Sequence, residues 1–223
     1  MTVEACGGAG DDICVILGLV MRSLDRHICE QFANPTGLVG RVLFAIMNRQ
    51  NRPLYEATLA LLPAGCGPVL DVGCGNGHVM GLLAASHGDV LVGVDPSEDV
   101  IAIAARRHRK MVADGRMVFA RGSADATGQP DGAFDAAYSV NTVYFWPDAE
   151  AGFTEIRRVL RADGVFLNAL YTSDTLARFA HTAHGYRRYE PGELVAAAQA
   201  AGLLADSVSL LGGRAFCVRC YRR

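Results

Sequence analysis

The stretch VLDVGCGNGHV, Val69 to Val79, decides how the rest of this chain is read. An apolar strand leads into three glycines at alternate positions, and a helix opens behind them. Glycines let the backbone turn sharply and let a ligand come close to it. Asp71 stands two residues before the first of these glycines, where it would repel a bound phosphate. The loop is therefore suited to a ligand that brings no phosphate to that place.

Outward from this loop the chain alternates between strand and helix. Asp89–Asp95 (DVLVGVD), Arg116–Gly122 (RMVFARG), Ala133–Asn141 (AFDAAYSVN) and Gly164–Tyr171 (GVFLNALY) read as the second to fifth strands. Their near-continuous apolar runs suit strands covered on both faces, hence parallel pairing. Helices are expected over Gly77–Gly88, Ser97–Gly115, Asp148–Gly164 and Pro191–Gly202, with Ser97 as a cap. On the third of these, Ile156, Val159 and Leu160 mark the inner face, and Arg157, Arg158 and Arg161 the solvated one. Two last strands, Leu204–Leu211 and Arg214–Arg223, are joined so tightly that a hairpin and an antiparallel edge are expected. This pattern is an α/β sandwich with one main domain.

Residues 1–62 read differently, as an all-helical extension ahead of a domain at 63–223. A helix is expected from the Asp11–Asp12 cap to Phe32. Two shorter pieces follow at Gly37–Gln50 and Pro53–Leu62, separated because proline breaks or kinks a helix. The apolar run Ile13–Met21 lacks a basic leader and a cleavage site, and it is too short to span a bilayer. No signal peptide and no membrane span are expected, and a cytoplasmic location follows.

The chain has 223 residues, about half of them hydrophobic, and a net charge of −2. A large core is expected, and no positive field is available to hold a nucleic-acid backbone. Seven cysteines, an odd number without framework spacing, suit a reducing compartment. Cys217 and Cys220 form a C-x-x-C, which reads as a redox or metal pair or as two residues on opposite faces of a strand. The strand is preferred, and no metal site is expected.

Asp95 closes the second strand, twenty positions after Gly75, where a carboxylate can accept hydrogen bonds from ribose hydroxyls. A nicotinamide dinucleotide would meet that need too. The G-x-G-x-G spacing and Asp71 argue against it. S-adenosylmethionine, with a ribose, an ammonium and a sulfonium and no phosphate, fits both acids.

At this point VLDVGCGNG, GVDPS and PDGAFDAAYSVNTVYFWPD resemble the three signature segments of class I S-adenosylmethionine-dependent methyltransferases, over roughly Val69 to Leu170. NTVYFWPD is most similar to the small-molecule branch that includes the ubiquinone and menaquinone biosynthesis enzymes. The resemblance implies a Rossmann-like, seven-stranded sheet, mostly parallel with one antiparallel strand in a terminal hairpin, and helices on both faces. It also implies S-adenosylmethionine as cofactor and S-adenosylhomocysteine as product. Asp71, Gly73, Cys74 and Gly75 would cradle the methionine part, and Asp95 the ribose. Pro96, Ser97 and Val100 would flank the adenine. Where the family commonly has an acid for the adenine amino group, this chain has Ser123 and Ala124, with Asp125 near. Asn141 would lie beside the transferring methyl.

The acceptor would be a small, partly apolar molecule, methylated on carbon, oxygen or nitrogen. Met47, Asn48, Asn51 and Tyr55 share a helix face and are candidates to line its site with Trp146 and Tyr171. Tyr144, His181 and His184 are the candidates for proton transfer. A second reading is a cofactor-binding partner subunit without turnover, and a homodimer is compatible with either.

Overall fold

The computed structural model describes residues 37–179, 182 and 185–223, with side chains from Met47 onward. The expected Asp11–Phe32 helix, His181 and His184 lie outside the described residues.

Seven strands form one sheet: β1 (Val69–Val72), β2 (Leu91–Asp95), β3 (Met117–Arg121), β4 (Phe134–Val140), β5 (Leu160–Tyr171), β6 (Leu204–Leu210) and β7 (Ala215–Tyr221). Their order is β3-β2-β1-β4-β5-β7-β6, and β1 to β5 are parallel. Strand β7 pairs antiparallel with both β5 and β6. The reversed strand β7 therefore lies inside the sheet and β6 forms its edge, so the terminal hairpin makes the expected antiparallel edge. Every residue of β1 is buried, as its apolar run foretold.

Two cores cover the faces of the sheet. One packs helix α1 (Gly37–Leu59) and α2 (His78–Leu83) through Leu54, Met80 and Leu83 against Val69, Tyr138 and Leu167. On the other face, Phe153 and Ile156 of α5 (Ala149–Val159) and Leu194 of α7 (Pro191–Ala200) meet Phe166 and Leu170. Cys217 lies in the first core and Cys220 in the second, so the C-x-x-C pair is split across the sheet as strand geometry requires.

Four details depart from the sequence reading. Helix α1 runs through Pro53 without a break. Leu54 and Thr58 are fully buried on either side of one turn, and Thr58 Oγ1 donates to the Leu54 carbonyl at 2.7 Å. Packing keeps the helix continuous although the proline removes a backbone donor.

The long helix expected from Ser97 is two, α3 (Glu98–Arg107) and α4 (Arg109–Ala113), hinged at His108. Helix α5 ends at Val159, because Leu160 turns extended and pairs with Phe134 at a bulge in the β4–β5 ladder. Arg158 and Arg161 are not simply solvated. Arg158 Nε bonds Glu155 Oε2 at 2.7 Å, its Nη2 bonds the Gln129 carbonyl at 2.6 Å, and Arg161 pairs with Asp135.

Candidate functional site

Strand order reverses between β1 and β4, the place where open parallel sheets leave a crevice beyond their carboxyl ends. The glycine loop leaves β1 there. Gly73 and Cys74 both donate to the Val94 carbonyl of β2, at 2.8 and 3.0 Å, which pins the loop to the neighbouring strand. Gly73 has φ +78°, and a Cβ on it would stand 2.5 Å from Thr142 Cγ2. Only glycine fits this turn.

Asp71 faces Gly93 of β2 and Tyr138 of β4 in register. It is 4% exposed, and its Oδ2 has no hydrogen-bond partner. Burial pushes its carboxyl up from 3.8 to about 8; the Tyr138 phenol pulls down, and the Asp95 charge adds to the rise. An unpartnered buried carboxylate of this kind is suited to a cation.

Asp95 accepts from the Gly75 amide at 3.1 Å and from the Ser97 amide at 3.0 Å. Burial raises this carboxyl, and the two amides hold it back.

One cavity of about 470 Å3 runs from these acids to the end of β5. At one end it is lined by Asp71, Gly73, Cys74, Gly75 and Asp95, and by Pro96 and Val100. Ser123, Ala124 and Asn141 complete that end. Among the described residues the lining includes no lysine or arginine. Ser97 is a correction: it does not line the cavity, and its amide instead orients Asp95. The Ser123 hydroxyl donates to Asp125 Oδ1 at 2.6 Å, which leaves its oxygen lone pairs able to accept. Asp125 itself is exposed and stays outside.

The other end gathers Met47, Asn48, Asn51 and Tyr55 of α1 with Trp146 and Tyr171. Burial pushes the Tyr55 phenol to about 12, against a hydrogen bond from Asn51 that lowers it. Leu176, Phe179, Thr182 and Tyr186 extend this wall. The Tyr186 ring lies 4.8 Å from that of Phe145 and 5.3 Å from that of Tyr144.

Two candidates take different parts from those expected. The Tyr144 hydroxyl accepts from the Tyr171 amide at 2.8 Å and reaches Asn141 Oδ1 at 3.2 Å. Burial raises this phenol, and its hydrogen bonds make it a latch between the ends of β4 and β5. Trp146 borders the cavity but belongs mainly to the core. It is 7% exposed, its ring centroid lies 5.9 Å from that of Phe153, and its Nε1 donates to Thr142 Oγ1 at 3.2 Å.

Thr142 and His78 also line the cavity and were not singled out from the sequence. Thr142 follows Asn141 directly in NTVYFWPD, so its place in that motif was the available signal. Asn141 has φ +60°, a left-handed conformation that asparagine tolerates better than most residues. It turns the chain so that Thr142 meets the loop and Asn141 lines the cavity.

Residues 69–164 match the methyltransferase-domain family. Over 122 residues the chain is 34% identical to a fatty-acid O-methyltransferase of Mycolicibacterium smegmatis, covering 54% of this chain and 43% of that one. It is 29% identical over 121 residues to a 27-O-demethylrifamycin SV methyltransferase of Amycolatopsis mediterranei, covering 54% and 44%. The chain thus spans less than half the length of these curated relatives. A geranyl diphosphate C-methyltransferase from Streptomyces coelicolor A3(2), solved with S-adenosyl-L-homocysteine, superposes with a TM-score of 0.66 at 17% identity. That superposition covers 85% of this chain and 82% of the other.

Proposed function

We propose that this chain, whose residues 69–164 belong to the methyltransferase-domain family, transfers a methyl group from S-adenosylmethionine to a small, partly apolar organic acceptor. The observation that carries this reading is the buried, unpartnered Asp71 oxygen in a cavity whose lining, among the described residues, has two carboxylates and no lysine or arginine. A dinucleotide would bring its pyrophosphate against those acids. A donor with an ammonium and a sulfonium brings compensating charge.

The residues fit that donor in their parts. Asp71 answers the positive charge of the methionine portion, the Gly73–Gly75 backbone leaves room for it, and Asp95 accepts from the ribose hydroxyls. Pro96, Val100, Ser123 and Ala124 border the adenine, with Ser123 offering an acceptor for its amino group. S-adenosylmethionine supplies an electrophilic methyl group on sulfur. The chain's task is then orientation, since an in-line displacement gains most from holding two partners in one geometry. Asn141, fixed by the Tyr144 latch, stands between donor and acceptor ends.

The acceptor is held by Met47, Asn48, Asn51 and Tyr55 from α1 and by Tyr171, Phe179 and Tyr186 beyond β5. Such a lining favours an apolar body with few polar groups. Relatives named for a fatty acid and a rifamycin agree with that class. The described residues of α1 from Met47 to Tyr55 act as a helical wall at this end. Four free cysteines among the described residues suit a reducing, cytoplasmic setting.

Calorimetric titration with S-adenosylmethionine and, separately, NADH tests the donor. Binding of the first alone is expected, and an acceptor screen reading S-adenosylhomocysteine release then follows. Binding of NADH, or of neither, overturns the proposal.

A further inference from the structure

The glycine loop is gripped from its outer side by residues that do not line the cavity. Helix α3 leaves Asp95 and Pro96 at its start, with Val100 in the cavity wall, and ends at Arg107. The chain then breaks at His108, whose φ of −106° and ψ of 25° belong to neither α3 nor α4. This break turns two consecutive side chains back to the loop. Arg107 Nη2 meets His78 Nδ1 at 3.1 Å, and His78 borders the cavity.

The His108 ring fills the space left by two glycines. A Cβ on Gly77 would stand 3.0 Å from His108 Cδ2, and one on Gly81 2.8 Å from His108 Cε1. The ring also bonds the Gly77 backbone and stacks on Phe119 of β3, with centroids 6.0 Å apart and planes at 27°. Gly77 itself has φ +71°, and its carbonyl takes the Gly81 amide at 3.0 Å, the first turn of α2. His108 thus fixes the point where loop becomes helix. Its Nε2 is buried without a partner, so an ordinary packing residue would serve there as well or better unless the bond to Gly77 matters.

We infer that His108 is a positioning residue for the donor: it holds the Gly73–Gly77 loop in its binding shape from behind, and α3 ties both ends of the donor site into one rigid piece. The inference rests on the proposed donor site. Neither Arg107 nor His108 lines the cavity, so the effect must pass through Gly77 and His78.

Two variants separate the parts. His108→Phe keeps a ring against Phe119, Gly77 and Gly81 and loses the bond to the Gly77 backbone; His108→Ala loses both. The measurements are melting temperature, amide hydrogen exchange of the unliganded protein, and calorimetry with S-adenosylmethionine. His108→Phe is expected to melt as the wild type does, to exchange its Gly77 and Gly81 amides faster, and to bind the donor about five- to tenfold more weakly, as loss of one hydrogen bond implies. His108→Ala is expected to weaken it further, and if it fails to fold the phenylalanine variant decides alone. Wild-type donor affinity in a folded His108→Phe protein overturns the inference. A wild-type chain that binds no S-adenosylmethionine sinks the proposed function instead. The exchange comparison then decides whether His108 holds the loop: unchanged rates at Gly77 and Gly81 overturn it.

Discussion

The Gly75 amide donates to Asp95 Oδ2 over 3.1 Å, joining the glycine loop to the end of the second strand across twenty residues of sequence. The same carboxylate both shapes the loop and faces the cavity. Asp95→Ala is therefore expected to weaken S-adenosylmethionine binding about a hundredfold, at about 1.5–3 kcal/mol for each hydrogen bond to a charged group. Calorimetry checks this, and a dissociation constant within threefold of wild type would remove Asp95 from the site.

Asp71 makes the unliganded protein sensitive to pH. Burial raises its carboxyl from 3.8 to about 8 in the folded chain. Because the folded value is the higher, the group favours folding fully below about pH 4, and that contribution is lost as pH rises to 8. Melting temperature should fall across this window, and less steeply in Asp71→Asn, whose advantage grows with pH. Asp95 titrates in the same direction in both proteins, so the difference between them isolates Asp71.

A cation bound beside Asp71 favours its ionised form. Donor binding at pH 7 should then release about one proton, read as a dependence of the binding enthalpy on the buffer's own ionisation enthalpy. Asp71→Asn should release none. Equal enthalpies in phosphate and Tris for the wild type would show that Asp71 is already ionised in the empty site.

Gly73→Ala should be destabilising by about 1–2 kcal/mol from the left-handed backbone alone. The clash with Thr142 adds to this. Thr142→Ser removes the Cγ2 atom that lies 2.5 Å from the new Cβ, and should restore part of the loss. Urea unfolding of the two single variants and the double variant measures that coupling. Strict additivity would mean the loop moves away from Thr142 instead.

Tyr144→Phe leaves the Tyr171 amide without its 2.8 Å acceptor. A loss of about 1–3 kcal/mol in stability is expected. The pH dependence of turnover, once an acceptor is known, should be unchanged, because burial pushes the phenol up from its ordinary value. An altered profile would return Tyr144 to the proton-transfer groups.

The strands and the donor loop were readable because each rests on local rules. Val69, Leu70 and Val72 are apolar and buried, and the alternate glycines mark a turn that only they can make. What escaped depends on distant partners. Pro53 signals a break, yet the helix continues because Leu54, one residue on, is buried in the core against the sheet. Leu160 continues a helical stripe, yet Phe134 draws it into the sheet. The phenol of Tyr144 looks like chemistry until the Tyr171 amide is seen beneath it, and His108 gives no local sign that its ring stands behind Gly77.

The cavity's two ends come from different parts of the chain. Residues between 71 and 142 line the end that holds the two acids, while residues of 47–55 and the described residues Tyr171, Leu176, Phe179, Thr182 and Tyr186 line most of the other. A new acceptor preference can therefore arise by exchanging the outer segments while the donor grip is left intact. The same division marks where to graft: α1 and the stretch after β5 are the interchangeable parts of this scaffold, and the loop behind β1 is the part to leave alone.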